Sequence, residues 1–355
     1  MRPFVALLLV LCACPSQPGI EDAGVDARRP PAPPAIDVAA GATHACARMS
    51  DGTVRCWGCY CSMPSTLAPL TPDGLPVTVS GVSDARALAL GLDFSCALLA
   101  DGSVRCWGKG GQGQLGNGAT VDSDTPVTVE GLDAGVLELS AGARHACARL
   151  SDGSVVCWGD NRQRQLGDMS IDDQKTTPSS LGVFGATRLD LGGEHSCAVR
   201  ASGTVVCWGE NAAGQLGDGT MMPRNGPTPV LGSLSGTQVS AGGVSTCLLR
   251  DDKSVSCWGS GALVPVERLG ADGGWAEVAV GGDRVCARSG DTIDCLDAGT
   301  PGVPNAVQLA AGGAFACALT DGGTVHCWGK NDVGQLGDGR MGPGADSEVP
   351  VKVGF

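Results

Sequence analysis

A pair of cysteines recurs seven times along this chain at nearly constant spacing, and that recurrence limits the possible folds more than any other feature. The tripeptide Cys-Trp-Gly begins at Cys56, Cys106, Cys157, Cys207, Cys257 and Cys327. A second cysteine stands ten residues earlier in each case, at Cys46, Cys96, Cys147, Cys197, Cys247 and Cys317. A seventh copy, Cys286 with Cys295, has Leu296-Asp297 in place of Trp-Gly. Five residues before every leading cysteine lies a glycine: Gly41, Gly91, Gly142, Gly192, Gly242, Gly281 and Gly312. Leading cysteines are 50, 51, 50, 50, 39 and 31 residues apart, so the fifth and sixth units are shortened. Self-similarity at such a period marks an array of supersecondary units that bury their faces against one another.

Each unit reads as short strands. Stretches such as Ala87-Leu88-Ala89-Leu90 and Leu137-Glu138-Leu139 alternate as a half-buried strand does. Cys46 and Cys56 are equidistant from Asp51, so a three-residue loop, Ser50-Asp51-Gly52, sets them directly opposite each other across a hairpin. Glycine supplies the left-handed residue that this loop requires. Ala100-Asp101-Gly102, Ser151-Asp152-Gly153 and Ala201-Ser202-Gly203 repeat the pattern, whereas Asp251-Asp252-Lys253 departs from it. The seventh copy is an internal check: its cysteines are nine apart, and a two-residue loop, Gly290-Asp291, restores direct opposition. Pro76-Val77, Pro126-Val127, Pro229-Val230, Pro265-Val266 and Pro350-Val351 suggest a fourth strand.

Seven units of about four short strands predict an all-β, seven-bladed propeller over residues 36–355, because radial repetition protects strand edges. Ile36-Asp37-Val38 has no Pro-Val strand before it, and Pro350-Val351-Lys352-Val353 follows the last unit. The C-terminal strand is therefore expected to complete the first blade and close the ring.

Cys14 and the residues before it suggest export. A run from Phe4 to Ala13 after Arg2 is too short to span a bilayer but suits a signal-peptide core over residues 1–13. Leu11-Cys12-Ala13-Cys14 resembles the bacterial lipobox, which makes Cys14 the lipidated first residue of a mature lipoprotein. Pro15, not Asp, follows it, and by that resemblance the address is the outer membrane or cell surface, with the periplasmic face as the alternative. Residues 14–35, proline-rich and without a hydrophobic period, read as a tether, so contact with the membrane is expected through the lipid alone.

Paired cysteines in an exported chain are disulfides by default. The expected bridges are Cys46–Cys56, Cys96–Cys106, Cys147–Cys157, Cys197–Cys207, Cys247–Cys257, Cys286–Cys295 and Cys317–Cys327, one per blade. Cys59 and Cys61 are left over: they bridge each other, pair with a partner, or join Cys46 and Cys56 in a four-thiolate zinc site, whose spacing is poor for a zinc finger. The expectation is no metal and no cofactor. His44, His145 and His195 share one slot that other copies fill with Phe94, Ser245, Arg284 and Phe315, a mixture that favours a structural role over catalysis. No nucleophile elbow, zinc-protease helix or phosphate loop appears. No catalytic residue is assigned, and the chain is read as a non-enzyme. Its formal charge of −13 disfavours nucleic acid.

Further motifs carry a family resemblance. Gly113-Gln114-Leu115-Gly116, Gln165-Leu166-Gly167-Asp168, Asn211-x-x-Gly214-Gln215-Leu216-Gly217-Asp218-Gly219 and Asn331-x-x-Gly334-Gln335-Leu336-Gly337-Asp338-Gly339 follow the Cys-Trp-Gly of four copies. Together with the upstream glycine-to-cysteine block, they make the chain similar to the regulator of chromosome condensation repeat family. The third copy has Arg164 where the block's first glycine would stand, and the first copy replaces the block with Cys59–Leu67. The resemblance implies a seven-bladed propeller, agreeing with the count of repeats. The family's eukaryotic namesake exchanges guanine nucleotide on a small GTPase and docks on chromatin, neither of which an exported, acidic chain would meet. A secreted bacterial member of the family plugs a β-lactamase with one propeller face. The expected function is a monomeric, envelope-tethered protein-binding or adhesion scaffold with an unidentified protein partner. The alternatives are a structural envelope component, an inhibitor of a secreted enzyme, and the namesake's exchange activity. Five variable stretches, Cys59–Leu75, Gly118–Asp124, Asp168–Ser180, Met221–Thr228 and Arg340–Glu348, are the expected contact surface.

Overall fold

The computed structural model describes residues 32–355 apart from 60–73, 133–134, 183–184, 233, 283 and 297–298. The expected leader, Cys14, most of the tether and Cys61 lie outside the described residues.

Blade one is an antiparallel meander of Ala35–Ala40, His44–Met49, Val54–Gly58 and the short outer strand Val77–Thr78. Five other repeats build the same four-stranded sheet, and the shortened sixth builds three strands, Glu277–Val280, Val285–Ser289 and Thr292–Cys295. The chain after Cys295 is too short to add a fourth. Gly299 instead exchanges two backbone hydrogen bonds with Cys295, at 2.9 and 3.0 Å, and blunts that edge.

The hairpin arithmetic holds in register. Cys46 faces Cys56, and Cys286 faces Cys295 across the shorter loop. Each blade carries its disulfide between second and third strands, with Cα separations of 4.0–4.1 Å. Lys253 forms the hairpin that lacks the glycine by adopting φ 70° itself, where Gly52 has φ 83°. An L-residue there is strained by about 1 kcal/mol. Lys253→Gly is therefore expected to raise stability by about 1 kcal/mol in a denaturant titration; an unchanged midpoint would show that the lysine side chain offsets the strain.

Ring closure differs from expectation. The C-terminal strand Ser347–Lys352 pairs with Val325–Gly329 of its own blade, seven, and not with blade one. Each Pro-Val strand is the outermost of the blade whose Cys-Trp-Gly precedes it, so the apparent surplus is only the last blade's own edge. The ring closes by packing and hydrogen bonding. Gly313 N–H donates to the carbonyls of Gly41 and Ala42. Gln308 donates to Asp37 at 2.8 Å and accepts from Val38 N–H at 3.2 Å. Trp57 of blade one lies among Phe315, Leu319, Val325, Leu336 and Val353 of blade seven.

The core as a whole is arranged in this manner: seven buried clusters, one in each seam between adjacent blades. All seven tryptophans are buried, as expected of core residues.

The histidine slot belongs to these seams. Nε2 of His145 lies 2.9 Å from Ser196 Oγ, and that of His195 lies 2.7 Å from Thr246 Oγ1, each in the next blade. The two hydroxyls donate to the carbonyls of Gln165 and Gln215, so each must accept from its histidine, which fixes the Nε2–H tautomer. His44 Nε2 lies 2.8 Å from Ser95 Oγ of blade two. Where the slot holds Phe94 or Phe315, the facing position in the next blade is Ala146 or Ala45. The three histidines face hydroxyls, and the two phenylalanines face methyls. Burial holds the pKa of His44 and His145 down at about 3 and that of His195 at about 4.

Candidate functional site

The inner strand of each blade runs towards its repeat glycine, the second strand runs back, and the third returns. All third-to-outer connections therefore emerge at the same end of the ring as the glycines. The described parts of the five variable stretches thus share one face, here the collar face, and the Asp-Gly hairpins occupy the other.

The glycines form a collar around the propeller axis, and close approach explains them. A Cβ on Gly41 would stand 2.5 Å from Gly91 O, one on Gly91 2.6 Å from Gly142 O, and one on Gly312 2.5 Å from Gly41 O. Side-chain-free contact lets backbone bonds pass from blade to blade: Ala42 N–H to Gly91 O, Leu92 to Ala143, Ala143 to Gly193, Gly193 to Gly243, Gly282 to Gly313, and Gly313 to Ala42. Six seams are joined in this way among the described residues.

Outside the collar lies a ring of clasps built by the Gly-Gln-Leu-Gly block. Nε1–H of Trp158 donates to Gln114 O at 3.0 Å, that of Trp208 to Gln165 O at 2.9 Å, that of Trp258 to Gln215 O at 2.9 Å, and that of Trp57 to Gln335 O at 3.0 Å. The block of one blade thus holds the repeat tryptophan of the next. Blades one and six lack the block, and among the described residues the indole N–H groups of Trp107 and Trp328, which follow them, are buried without an acceptor. Trp158→Phe is expected to cost about 1–3 kcal/mol more than Trp328→Phe, since only the former leaves a buried carbonyl short of its donor. Equal losses in matched urea titrations would remove the clasp as an energetic feature.

The clasped loops are stiffened from within. Asn211 Nδ2 donates to Asp218 Oδ1, Thr220 O and Met222 O, while its Oδ1 accepts from Leu216 N–H. Asn161 does the same for Asp172 O and Leu166 N–H, and Asn331 for Asp338, Arg340 O and Leu336 N–H. Arg164, at the glycine position of the third block, takes φ 67° and keeps the loop geometry.

The axial cavity, about 800 Å³, is walled by the seven inner strands and ends in the collar glycines. Half of its lining residues are Ala or Gly; Ser140, Asp190 and Ser240 face it in blades three to five, and Glu138, Arg188, Gln238, Glu277, Arg288 and Gln308 also line it. Asp190 accepts from Ser140 Oγ and from Ala241 N–H, both at 2.8 Å, and so stitches three blades together. Burial raises its pKa to about 6. Gln238, Glu277 and Gln308 act similarly higher on the inner strands, each accepting from a backbone N–H of the next blade. Sequence reasoning missed these stitches, although the place shared by Gln238, Glu277 and Gln308, two residues before the cysteine-facing position that Asp190 itself occupies, was available as a signal.

Among the described residues no group of three His, Cys, Asp or Glu side chains is placed to hold a metal ion. Cys46 and Cys56 are joined to each other, and Cys59 is itself disulfide-bonded, so the four thiolates of the zinc alternative are not available. No described helix is long and apolar enough to cross a membrane. Seven disulfides indicate an oxidising environment.

A family model described as the RCC1-like domain matches residues 14–354. Solved structures of similar fold include human WBSCR16, at 21% identity over 79% of this chain and 84% of that one, with a TM-score of 0.71. Prp20p from Saccharomyces cerevisiae is 19% identical over 90% of this chain and 77% of its own, TM-score 0.60. The CRINKLY WD40 ectodomain of the Arabidopsis thaliana receptor kinase ACR4 is 22% identical over 81% and 90%, TM-score 0.53. At these identities the likeness is one of fold. No curated protein matches the chain.

Proposed function

The chain belongs to the RCC1-like domain family, and from that premise we propose that it is a non-catalytic protein-binding scaffold held at the bacterial cell envelope by a lipid on Cys14. One observation carries the reading: the variable loops share a face of a disulfide-stitched ring, and the clasps beneath them fix their backbones. A rigid display surface loses little conformational freedom on binding. Prp20p, similar in fold, is described as binding Gsp1p and histones, and as bound by Kap60, so the architecture accepts protein partners elsewhere. The disulfides favour an exported address, and fold by itself transfers no exchange activity.

Two measurements test this. Intact mass of the membrane-extracted protein is expected to show a diacyl or triacyl group on Cys14, with the repeat cysteines resistant to alkylation until reduced. An unprocessed chain with free thiols would overturn the envelope reading. Photo-crosslinkers at Asp124 on the collar face and at Asp101 on the hairpin face are expected to give a saturable protein adduct from the former. Absence of any adduct from either face would leave a structural envelope component as the better account.

A further inference from the structure

Three consecutive blades crowd exposed apolar side chains onto the collar face. Val121 in blade two, Met169 and Ile171 in blade three, and Met221 and Met222 in blade four are 54–81% exposed. They stand on the arc where clasps are continuous, since the blocks of blades two, three and four hold the tryptophans of blades three, four and five. Each loop also rests on its neighbour: Gly118 N–H donates to Thr176 O, Met169 N–H to Asn225 O, and Gly219 N–H to Leu263 O. Asn211 fixes the Met222 carbonyl, and Asn161 fixes the carbonyl next to Ile171. These loops cannot fold inwards to hide their apolar tips, and exposed apolar groups on a stiff backbone are what interface anchors are made of.

The charges around them are mainly acidic. Asp124, Asp173, Glu194 and Glu210 form no salt bridge among the described residues; Lys109, Arg162, Lys175 and Arg224 are each matched to an aspartate, and Arg144 and Arg164, which form none either, are outnumbered by those four acids. Glu194 illustrates the crowding: burial and then the repulsion of Asp160 and Glu210 raise its pKa. A negative field around apolar tips is complemented by an apolar contact flanked by cations.

We infer that blades two to four of the collar face dock a protein segment that presents aliphatic or aromatic side chains flanked by lysine or arginine. This rests on the scaffold reading and assigns it a sector and a partner chemistry. The test is selection of phage-displayed random peptides on the intact, oxidised protein. Enriched sequences are expected to combine apolar and basic residues and to weaken as salt rises. The triple variant M169D/I171D/M222D is expected to lose about tenfold or more in affinity for them. Its melting temperature should be unchanged, because the three side chains are exposed. Val349→Asp, at an equally exposed apolar site on blade seven, should bind as the parent does. Peptides that are acidic, that bind the triple variant equally, or that fail to enrich at all would overturn the inference. So would a concentration-dependent dimer abolished by the triple variant, which would make a second copy the occupant. A natural partner crosslinked only at the hairpin face would sink this sector while leaving the scaffold itself intact.

Discussion

Protein unfolded and reduced, alkylated, and returned to native buffer is expected not to regain its cooperative thermal transition. Each bridge closes a loop of about eleven residues and contributes about 2.5–3 kcal/mol in the chain-entropy account. Seven such terms total on the order of 20 kcal/mol as an upper bound, more than the 5–15 kcal/mol by which a folded domain usually exceeds its unfolded state. The seams are in no position to replace them. Their cores lean on Ala, Val and Cys, and apart from tryptophan the fully buried large side chains are few: Phe94, Phe315, Met49, Ile293 and five leucines. The measurement is a melt followed by tryptophan fluorescence, since each of the seven seams holds one buried indole. A reduced chain melting within a few degrees of the oxidised one would show that burial alone suffices. Because the sulfur atoms lie inside the seams, native protein should resist the same reductant for as long as it stays folded.

Acid should unfold the ring well above the ordinary carboxylate range. His44, His145 and His195 have native pKa values of about 3, 3 and 4 against 6.5 in the unfolded chain. Between those limits the unfolded state binds protons that the native state refuses, so stability falls as pH falls. Asp190 has the opposite sign. Its native pKa of about 6 exceeds the unfolded 3.8, so below pH 6 the native state takes a proton first and regains stability. Glu194 and Glu277, also raised by burial, act in the same direction as Asp190. Three histidines less one aspartate leave a slope near two protons, about 2.7 kcal/mol per pH unit, and a loss of up to about 5 kcal/mol between pH 6.5 and 4.5, which the two glutamates reduce. The protein supplies its own control. Blade two meets blade three through Phe94 and Ala146, so H145F/S196A reproduces a pair already in use and removes one titration. That double variant should lower the proton slope by about one; a slope identical to the parent's would show that His145 does not carry the effect.

How much of this was legible beforehand depends on whether a feature repeats. The blade count, hairpin register and disulfide pairing follow from spacing along one chain, because a cross-strand contact between neighbours in sequence leaves a fixed interval. The exception at Lys253 was visible as an exception, though not that the backbone would accept a left-handed lysine. The collar glycines were visible as a register without a reason. The reason is a carbonyl of the next blade, about fifty residues away, standing where a Cβ would be. The clasp motif was visible too, but as a family signature. That Gln335 serves Trp57, 278 residues earlier in the chain, could not be counted from either end.

The closing strand is the instructive error. Strand content and order were read correctly, but whether the last strand joins the first blade or its own is a choice of phase, and the repeat looks the same under either. Geometry decided it: Val77–Thr78 already occupies the outer edge of blade one, so Ser347–Lys352 has nowhere to pair but blade seven. The sequence by itself therefore determined what each blade is, because the contacts within a blade are local and periodic. Only the tertiary structure decided how blades are joined, which face gathers the loops, and where apolar tips and unmatched acids come together. Those contacts cross seams, and a seam pairs residues whose separation in the chain no local pattern records.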